Sequence, residues 1–130
     1  MERVTGIGGV FFRARDPKAL ARWYAEQLGI ESGIEGQMVW RQEGGPTVWA
    51  PFAADTEYFG RADQQTMVNF RVRDLDAMLE QLRGAGAAVD ERVEHHEYGR
   101  FGWASDPEGN RFELWEAREL SPAAGTISPA

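Results

Sequence analysis

Residues 12–16 read FRARD and residues 70–74 read FRVRD, so one short segment recurs 58 positions later in the chain. A run with apolar side chains at helical spacing follows each copy: Leu20, Trp23, Tyr24 and Leu28 after the first, and Leu75, Met78, Leu79 and Leu82 after the second. Asp16 and Asp74 end the two copies and are of a type that caps helix N-termini, and a glycine closes each run. The repeat therefore predicts a strand followed by a helix in each half of the chain.

Short strand-like segments follow both predicted helices. They span residues 37–41 and 47–52 in the first half and residues 89–95, 100–104 and 111–115 in the second. Residues that favour turns, mainly glycine and proline, precede the last segment of each half. Each half is therefore predicted to be a βαβββ module.

The two modules define the predicted domain organisation. Module one covers residues 4–54, a connection covers 55–64, module two covers 65–117, and a mobile tail covers 118–130. The helix of a βαβββ unit covers only one face of its sheet, so two units join their sheets around the other face. We predict a single α+β domain over residues 1–130. Its two tandem βαβββ modules form a curled, cup-shaped mixed sheet with the helices on the outside.

The composition is that of one soluble globular domain. Of the 130 residues, 42% are hydrophobic and 27% are charged, and cysteine is absent, which excludes disulfides and thiolate metal sites. The net charge of −7 opposes binding to nucleic acid and to anionic membranes. No apolar run is long enough to span a bilayer. We therefore expect a cytoplasmic protein that has neither nucleic acid nor a membrane as a partner.

Two segments carry a resemblance to a known superfamily. Residues 19–29 read ALARWYAEQLG and residues 106–116 read DPEGNRFELWE. Together with the first strand at 6–16 and its echo at 68–75, they resemble the vicinal oxygen chelate superfamily, which contains glyoxalase I, bleomycin-resistance proteins and extradiol dioxygenases. The resemblance covers residues 4–116. It implies a small-molecule site inside the cup and a homodimeric assembly.

Strand alternation predicts which side chains face the cup, because successive residues of a strand point to opposite faces. If Phe112 faces the helices, Glu113 and Trp115 face the cup. The same reasoning gives a set of candidate ligand contacts on the inner face: Phe11, Thr47, Trp49, Met67, Asn69 and Arg71. These side chains suit a flat or apolar organic ligand that a few polar groups orient. Alternatively, the aromatic residues fill the core or a dimer interface.

Metal-dependent members of the superfamily hold their ion with four ligands on equivalent strands, as the resemblance implies. Those positions read Gly9, Trp49, Met67 and Glu113 here. Only Glu113 offers an oxygen donor, because glycine has no side chain, an indole cannot accept, and a thioether is too soft for magnesium or manganese. His95 and His96 would point to opposite faces of a strand, so we interpret them as surface residues. We expect neither a metal site nor any other cofactor.

Glu113 is the candidate catalytic residue. Partial desolvation in the cup would make its carboxylate a base near neutral pH. The alternative is an ion pair with Arg71 or Arg13 that holds the two modules in register. The residues alone leave both interpretations open.

A segment rich in glycine leads into a predicted cup strand of module two. Residues 98–103 read YGRFGW and alternate glycine with large side chains. The segment is either a flap that brings Tyr98 and Arg100 over the mouth of the cup or a bulged hairpin. Trp103, which falls on a strand, is a further candidate ligand contact.

Three functions fit these observations. The first is a glyoxalase/bleomycin-resistance-like protein that binds a small organic molecule in a metal-free cup, as a homodimer. The second is a metal-independent lyase or isomerase in which Glu113 abstracts a proton next to a carbonyl. The third is a divalent-metal lyase similar to glyoxalase I. We favour them in that order, and whether the protein is an enzyme stays open.

Overall fold

The computed structural model describes residues 1–31 and 39–118. Its helices are α1 (Pro17–Leu28) and α2 (Leu75–Gly84), and its strands are β1 (Asn69–Arg71), β2 (Ala88–Val89), β3 (Glu94–His96), β4 (Gly99–Ser105) and β5 (Arg111–Ala117). The predicted α+β class is confirmed, with helices beside one mixed, open sheet. Apart from Arg118, the predicted tail lies outside the described residues. Neither described helix is both long and apolar enough to cross a lipid bilayer.

Both helices start where the repeated segment ends. Asp16 accepts a hydrogen bond from the backbone N–H of Ala19 at 3.1 Å, and Asp74 accepts one from the N–H of Ala77 at 3.0 Å. Each carboxylate satisfies one of the amide groups that a helix N-terminus leaves without a partner. Gly29 ends α1 in the left-handed conformation, with a φ of 72°. The sequence repeat is thus a repeated helix start.

The sheet has the strand order β1-β5-β4-β2, and the short β3 also pairs with β4. β1 runs parallel to β5, whereas the other pairs are antiparallel. The turn between β4 and β5 depends on Asp106, whose carboxylate accepts from the backbone N–H groups of Glu108 and Asn110. Gly109 takes a φ of 84° there, which other residues rarely adopt. The DPEGN segment therefore fixes the hairpin at the centre of the sheet.

Both helices cover the same face of the sheet. The apolar cluster beneath them comprises Leu75, Leu79, Leu82, Ala104, Phe112 and Leu114, with Trp23, Leu28, Phe70 and Val72 among the residues packed against it. The predicted alternation of β5 is confirmed, because Phe112 and Leu114 face the helices and Glu113 does not. Helix α1 comes from module one, yet its Trp23 ring lies 6.2 Å from the Phe112 ring. Both helices therefore pack on the sheet of module two.

Hydrogen bonds attach the start of α1 to the β4–β5 turn. The Glu108 carboxylate accepts from the backbone N–H groups of Arg15 at 2.6 Å and Asp16 at 3.0 Å, and these bonds hold the pKa of Glu108 below its ordinary value. The Tyr24 hydroxyl donates to Asp106 at 2.8 Å. Burial raises the pKa of the Tyr24 phenol, and this bond raises it further. The DPEGN turn is therefore also an attachment point for module one.

The predicted strands of module one do not form within the described residues. Residues 6–16, 39–41 and 47–52 contain no strand, and residues 37 and 38 lie outside the described part. The five strands of the described chain all come from module two, so the strand predictions at these positions are wrong for the single chain. A strand is held by hydrogen bonds to a neighbouring strand, and an alternating pattern does not by itself supply that neighbour.

One predicted strand of module two is interrupted. Within residues 89–95, β2 ends at Val89 and β3 begins at Glu94. The Asp90 carboxylate accepts from the backbone N–H of Arg92 at 2.9 Å, which forms a local turn that competes with the sheet. The predicted strand is therefore two short strands, and both pair with β4.

Candidate functional site

Glu113 lies on the face of the sheet that the helices leave uncovered. It is only 2% exposed, and its carboxylate accepts hydrogen bonds from Asn69 Nδ2 at 2.7 Å and from Trp103 Nε1 at 3.1 Å. The hydroxyl of Tyr58 is the third donor to this carboxylate. Burying a carboxylate is costly unless donors of this kind replace the water that it loses. Three uncharged side chains therefore replace water around Glu113.

The strand register explains two of these donors. Asn69 pairs with Glu113 across the parallel β1–β5 ladder, and Trp103 pairs with Glu113 across the antiparallel β4–β5 ladder. Side chains opposite each other on adjacent strands lie on the same face, so the three form one row. Alternation along β5 places Trp115 on that face as well. The structure thus brings together four of the site residues expected from the sequence.

Tyr58 is the donor that was not among the site residues expected from the sequence. It belongs to the connection between the modules, and its ring centre lies 5.5 Å from that of Phe52, in a stacked arrangement, and 6.1 Å from that of Trp103, edge-on. Burial raises the pKa of the Tyr58 phenol above its ordinary value, and the hydrogen bond to Glu113 raises it further. An aromatic residue in a turn-rich connection is the only signal in the sequence, and strand alternation says nothing about such a segment.

An aromatic cluster surrounds this row. Its buried members are Phe101, Trp103 and Trp115, and Val48, Tyr58, Met67, Tyr98 and Ala117 pack against them. The rings of Phe101 and Trp115 are stacked, with centroids 5.9 Å apart and an interplanar angle of 6°. The indole N–H of Trp115 donates to the backbone carbonyl of Tyr98 at 3.0 Å. We call this cluster, together with Asn69 and Glu113, the aromatic face.

Two arginines lie at one edge of the aromatic face. The guanidinium carbons of Arg92 and Arg111 lie 4.8 and 5.6 Å from the centre of the Trp103 ring. Arg92 pairs with Glu94 at 3.2 Å, and Arg111 pairs with Asp90 at 3.6 Å. The two cations therefore cover the Trp103 ring while their carboxylate partners balance their charge.

Three candidate ligand contacts from module one do not join the aromatic face. Phe11 is 96% exposed, Trp49 is 84% exposed, and Thr47 is also exposed. Val48, which lies between the last two, packs against the aromatic face instead. The predicted phase of residues 47–51 is therefore wrong in the single chain, because no strand ladder fixes the orientation of this segment.

Arg71 attaches module one to the sheet. Its guanidinium donates to the backbone carbonyl of Glu43 at 2.7 Å and to that of Pro46. A Cβ at Gly45 would lie 2.9 Å from the Arg71 guanidinium, so a side chain there would displace the end of this arginine. Among the described residues, Glu113 forms no ion pair with Arg71 or with Arg13, which corrects that alternative. The Arg71 guanidinium therefore donates its hydrogen bonds to backbone carbonyls rather than to Glu113.

The segment 98–103 is a hairpin strand and not a flap. From Gly99 onward it belongs to β4, which pairs with both β3 and β5. A side chain at Gly99, whose φ is 134°, would clash with the carbonyl oxygen of Glu116. Arg100 points to the helix side of the sheet, where it donates to Asp76 at 2.7 Å. Arg100 is therefore not part of the aromatic face, whereas Tyr98 and Trp103 are.

Of the four positions that hold a metal in metal-dependent members of the superfamily, only Glu113 carries an oxygen donor here. The Glu113 carboxylate is already engaged by three donors, and Met67, Trp49 and Gly9 supply no oxygen or imidazole ligand. Within residues 1–31 and 39–118, no group of three or more His, Cys, Asp or Glu side chains is placed to hold an ion. The His96 ring lies 3.1 Å from Glu94 at the edge of the sheet. The expectation that the site works without a metal therefore stays a prediction.

One solved structure with a TM-score above 0.5 supports the fold, and two further solved structures are similar at lower TM-scores. A glyoxylase/bleomycin resistance protein/dioxygenase domain from Frankia sp. EAN1pec is 22% identical, with a TM-score of 0.58 over 90% of this chain and 95% of that chain. TnmS3, an antibiotic binding protein from Streptomyces sp. CB03234, is 26% identical, with a TM-score of 0.47 over 76% of this chain and 84% of that one. A glyoxalase/bleomycin resistance protein from the same Streptomyces is 35% identical, but the match spans only 37% of this chain and 41% of that protein, with a TM-score of 0.34. No curated protein matches the chain.

A match to a family model shows which protein family the chain belongs to. The model described as a glyoxalase-like domain matches residues 9–115. This range includes α1, the DPEGN turn and the row formed by Asn69, Glu113 and Trp103. The match therefore spans both modules, including the segments of module one that form no strand. The chain belongs to the glyoxalase-like domain family of the vicinal oxygen chelate superfamily.

Proposed function

We propose that the protein binds a small organic molecule against the aromatic face, without a metal, as a cytoplasmic homodimer. The row formed by Asn69, Glu113 and Trp103 supports this most directly, because it places a few oriented polar groups among aromatic side chains. That combination suits a flat, largely apolar ligand. Asn69 is exposed and Met67 is half-buried, so both are accessible to a ligand that approaches this face.

Apolar side chains of module one support the homodimer. Large exposed ones occur throughout this module: Val4, Ile7, Val10, Phe11, Phe12, Val39, Trp40 and Trp49. β1 has a single neighbouring strand among the described residues, which is β5, so one edge of the sheet is open. A second copy of the chain would cover these side chains and bring Phe11 or Trp49 towards a ligand on the aromatic face. The cup of this proposal is therefore complete only in the dimer.

Tryptophan fluorescence, titrated with a panel of metabolites and antibiotics, tests the binding function. At least one compound is expected to bind, and Asn69→Ala should weaken that binding by about tenfold or more, the effect of one lost hydrogen bond in a desolvated site. Gln81→Ala is the matched control, because it removes another exposed amide, on α2, on the opposite side of the sheet. Equal affinity of the wild type and Asn69→Ala for every compound that binds would place the ligand elsewhere.

A metal-independent lyase or isomerase is the second candidate function, since Glu113 is a buried carboxylate among aromatic side chains. A base needs a lone pair that faces the substrate, however, and Tyr58 and Trp103 both donate to Glu113 Oε2. Glu113→Gln keeps the size of the side chain but cannot take up a proton. Turnover by the wild type that Glu113→Gln abolishes, with affinity retained, would establish the enzyme. Binding without turnover by the wild type supports the binding function.

A further inference from the structure

The ring of Tyr58 fills a slot of one aromatic ring in width. Phe52 is stacked on one side of it, with ring centroids 5.5 Å apart and an interplanar angle of 27°. Trp103 is the second aromatic wall, with ring centroids 6.1 Å apart and the rings nearly perpendicular. Stacked and edge-on contacts of this kind are favourable for any aromatic ring that enters the slot.

The closed end of the slot is the Glu113 carboxylate. Two of its donors, Asn69 and Trp103, are fixed by strand pairing, whereas Tyr58 comes from outside the sheet. A carboxylate only accepts hydrogen bonds, so the position that Tyr58 takes suits a group that donates one. If that position lost its donor, a buried charge would lose part of its stabilisation. The slot therefore combines aromatic walls with a requirement for an O–H donor at its end.

Tyr58 differs from the other two donors in how it is held. It is half-buried while Glu113 is almost fully buried, so its ring lies at the solvent end of the site. Its backbone is fixed by other bonds, from its N–H to Thr56 Oγ1 at 3.2 Å and from Arg111 Nε to its carbonyl at 3.2 Å. These two bonds use no atom of the ring, so they attach the connection to the sheet whether or not the ring occupies the slot.

We infer that this slot is a ligand subsite for a hydroxylated aromatic ring, and that Tyr58 occupies it until such a ring displaces the tyrosine side chain. The inference rests on the proposed function and names the class of ligand for it. The hydroxyl of the ligand replaces the Tyr58 hydroxyl as the donor to Glu113, and the ligand ring replaces the tyrosine ring between Phe52 and Trp103. Tyr58 is then a competitor of the ligand, which is the reverse of an ordinary contact residue.

Binding of p-cresol, which has the structure of the tyrosine side chain, tests the inference in the variant Tyr58→Gly. Calorimetry should show that Tyr58→Gly binds p-cresol at least about tenfold more tightly than it binds toluene, since only the phenol donates to Glu113. The wild type should bind p-cresol more weakly than Tyr58→Gly by about tenfold or more, because its own tyrosine competes intramolecularly. Tyr58→Phe is the matched control: its ring still fills the slot, so it should not gain affinity for p-cresol.

Equal binding of toluene and p-cresol by Tyr58→Gly would overturn the inference, because the slot would then be a plain apolar cavity. If Tyr58→Gly does not fold alone, p-cresol but not toluene should restore its circular dichroism spectrum, and failure to do so would also overturn it. The proposed function fails by a different result, namely the absence of any ligand for the wild type in the fluorescence panel. The cresol-to-toluene ratio in the variant does not depend on that result.

Discussion

The hydroxyl of Tyr58 donates a hydrogen bond to the carboxylate of Glu113, and the two residues are 55 positions apart in the sequence. This bond connects the segment between the modules to the central strand β5. Burial raises the pKa of the Tyr58 phenol and this bond raises it further, so the folded protein keeps a proton at a pH where the unfolded chain loses it.

We expect Tyr58→Phe to make the stability less sensitive to alkaline pH. An unfolded tyrosine loses its proton near pH 10, but folded Tyr58 keeps it to a higher pH. Above about pH 10 the folded state binds more protons than the unfolded state, so the free energy of unfolding falls as the pH rises. Below that pH the contribution is fully present. Urea unfolding at a series of pH values should show a shallower fall for Tyr58→Phe, and an identical slope would contradict the bond to Glu113.

Asn69→Ala should destabilise the protein even without a ligand. It removes the donor to Glu113 Oε1, and a buried carboxylate that loses a donor costs about 1–3 kcal/mol. Gln81→Ala should cost less, about 0.5 kcal/mol, because the bond that its exposed amide donates to the backbone carbonyl of Gln27 joins two uncharged groups. Urea denaturation measures both variants, and equal effects would mean that Asn69 contributes nothing specific.

Replacing Gly99 in β4 tests the β4–β5 hairpin, and replacing Gly84 in α2 is the matched control. At Gly99 the backbone has a φ of 134° and a side chain would meet the carbonyl of Glu116, so Gly99→Ala should cost about 1–3 kcal/mol or more. At Gly84 a side chain would meet nothing within 4 Å, so Gly84→Ala should raise the stability of α2 by up to about 1 kcal/mol. Opposite signs in thermal denaturation are the expected result. A neutral Gly99→Ala would mean that this end of the hairpin is not rigid.

The purified protein should contain less than about 0.1 equivalent of nickel, zinc, iron or manganese, because the donor set lacks three of the four ligands. Elemental analysis by mass spectrometry measures this directly. Near-stoichiometric metal that disappears in Glu113→Ala would favour the divalent-metal lyase over the binding function.

Regular structure explains which parts of the site could be predicted. Asp16 and Asp74 mark helix starts because their side chains satisfy backbone amides, a local effect that the sequence displays. Alternation along β5 likewise places Glu113 and Trp115 on one face, and the DPEGN turn fixes where that strand begins. These predictions depend on neighbours within a few residues.

The parts that could not be predicted depend on distant contacts. Tyr58 reaches Glu113 from a connection without periodicity, so nothing local indicates its direction. The sequence predicts that Arg100 lies near the ligand, but its position in β4 places it beside Asp76 on the helix side of the sheet. Residues 6–16 have the residue pattern of a strand, but within the described part of the chain no strand pairs with them. A local pattern does not identify the partner of a segment.

Because no described strand pairs with residues 6–16, the last prediction concerns the assembly of two chains. Light scattering at micromolar concentration should give about twice 14.6 kDa, because a second copy would cover the exposed apolar side chains of module one. Phe11→Glu should shift the protein towards the monomer, because burying an unpaired charge in the interface between two chains is costly. Lys18→Glu is the control, because it adds negative charge at an exposed position of α1 that the proposed interface does not need. A wild type that stays monomeric would mean that Phe11 and Trp49 remain in solvent, and the ligand would then meet the aromatic face alone.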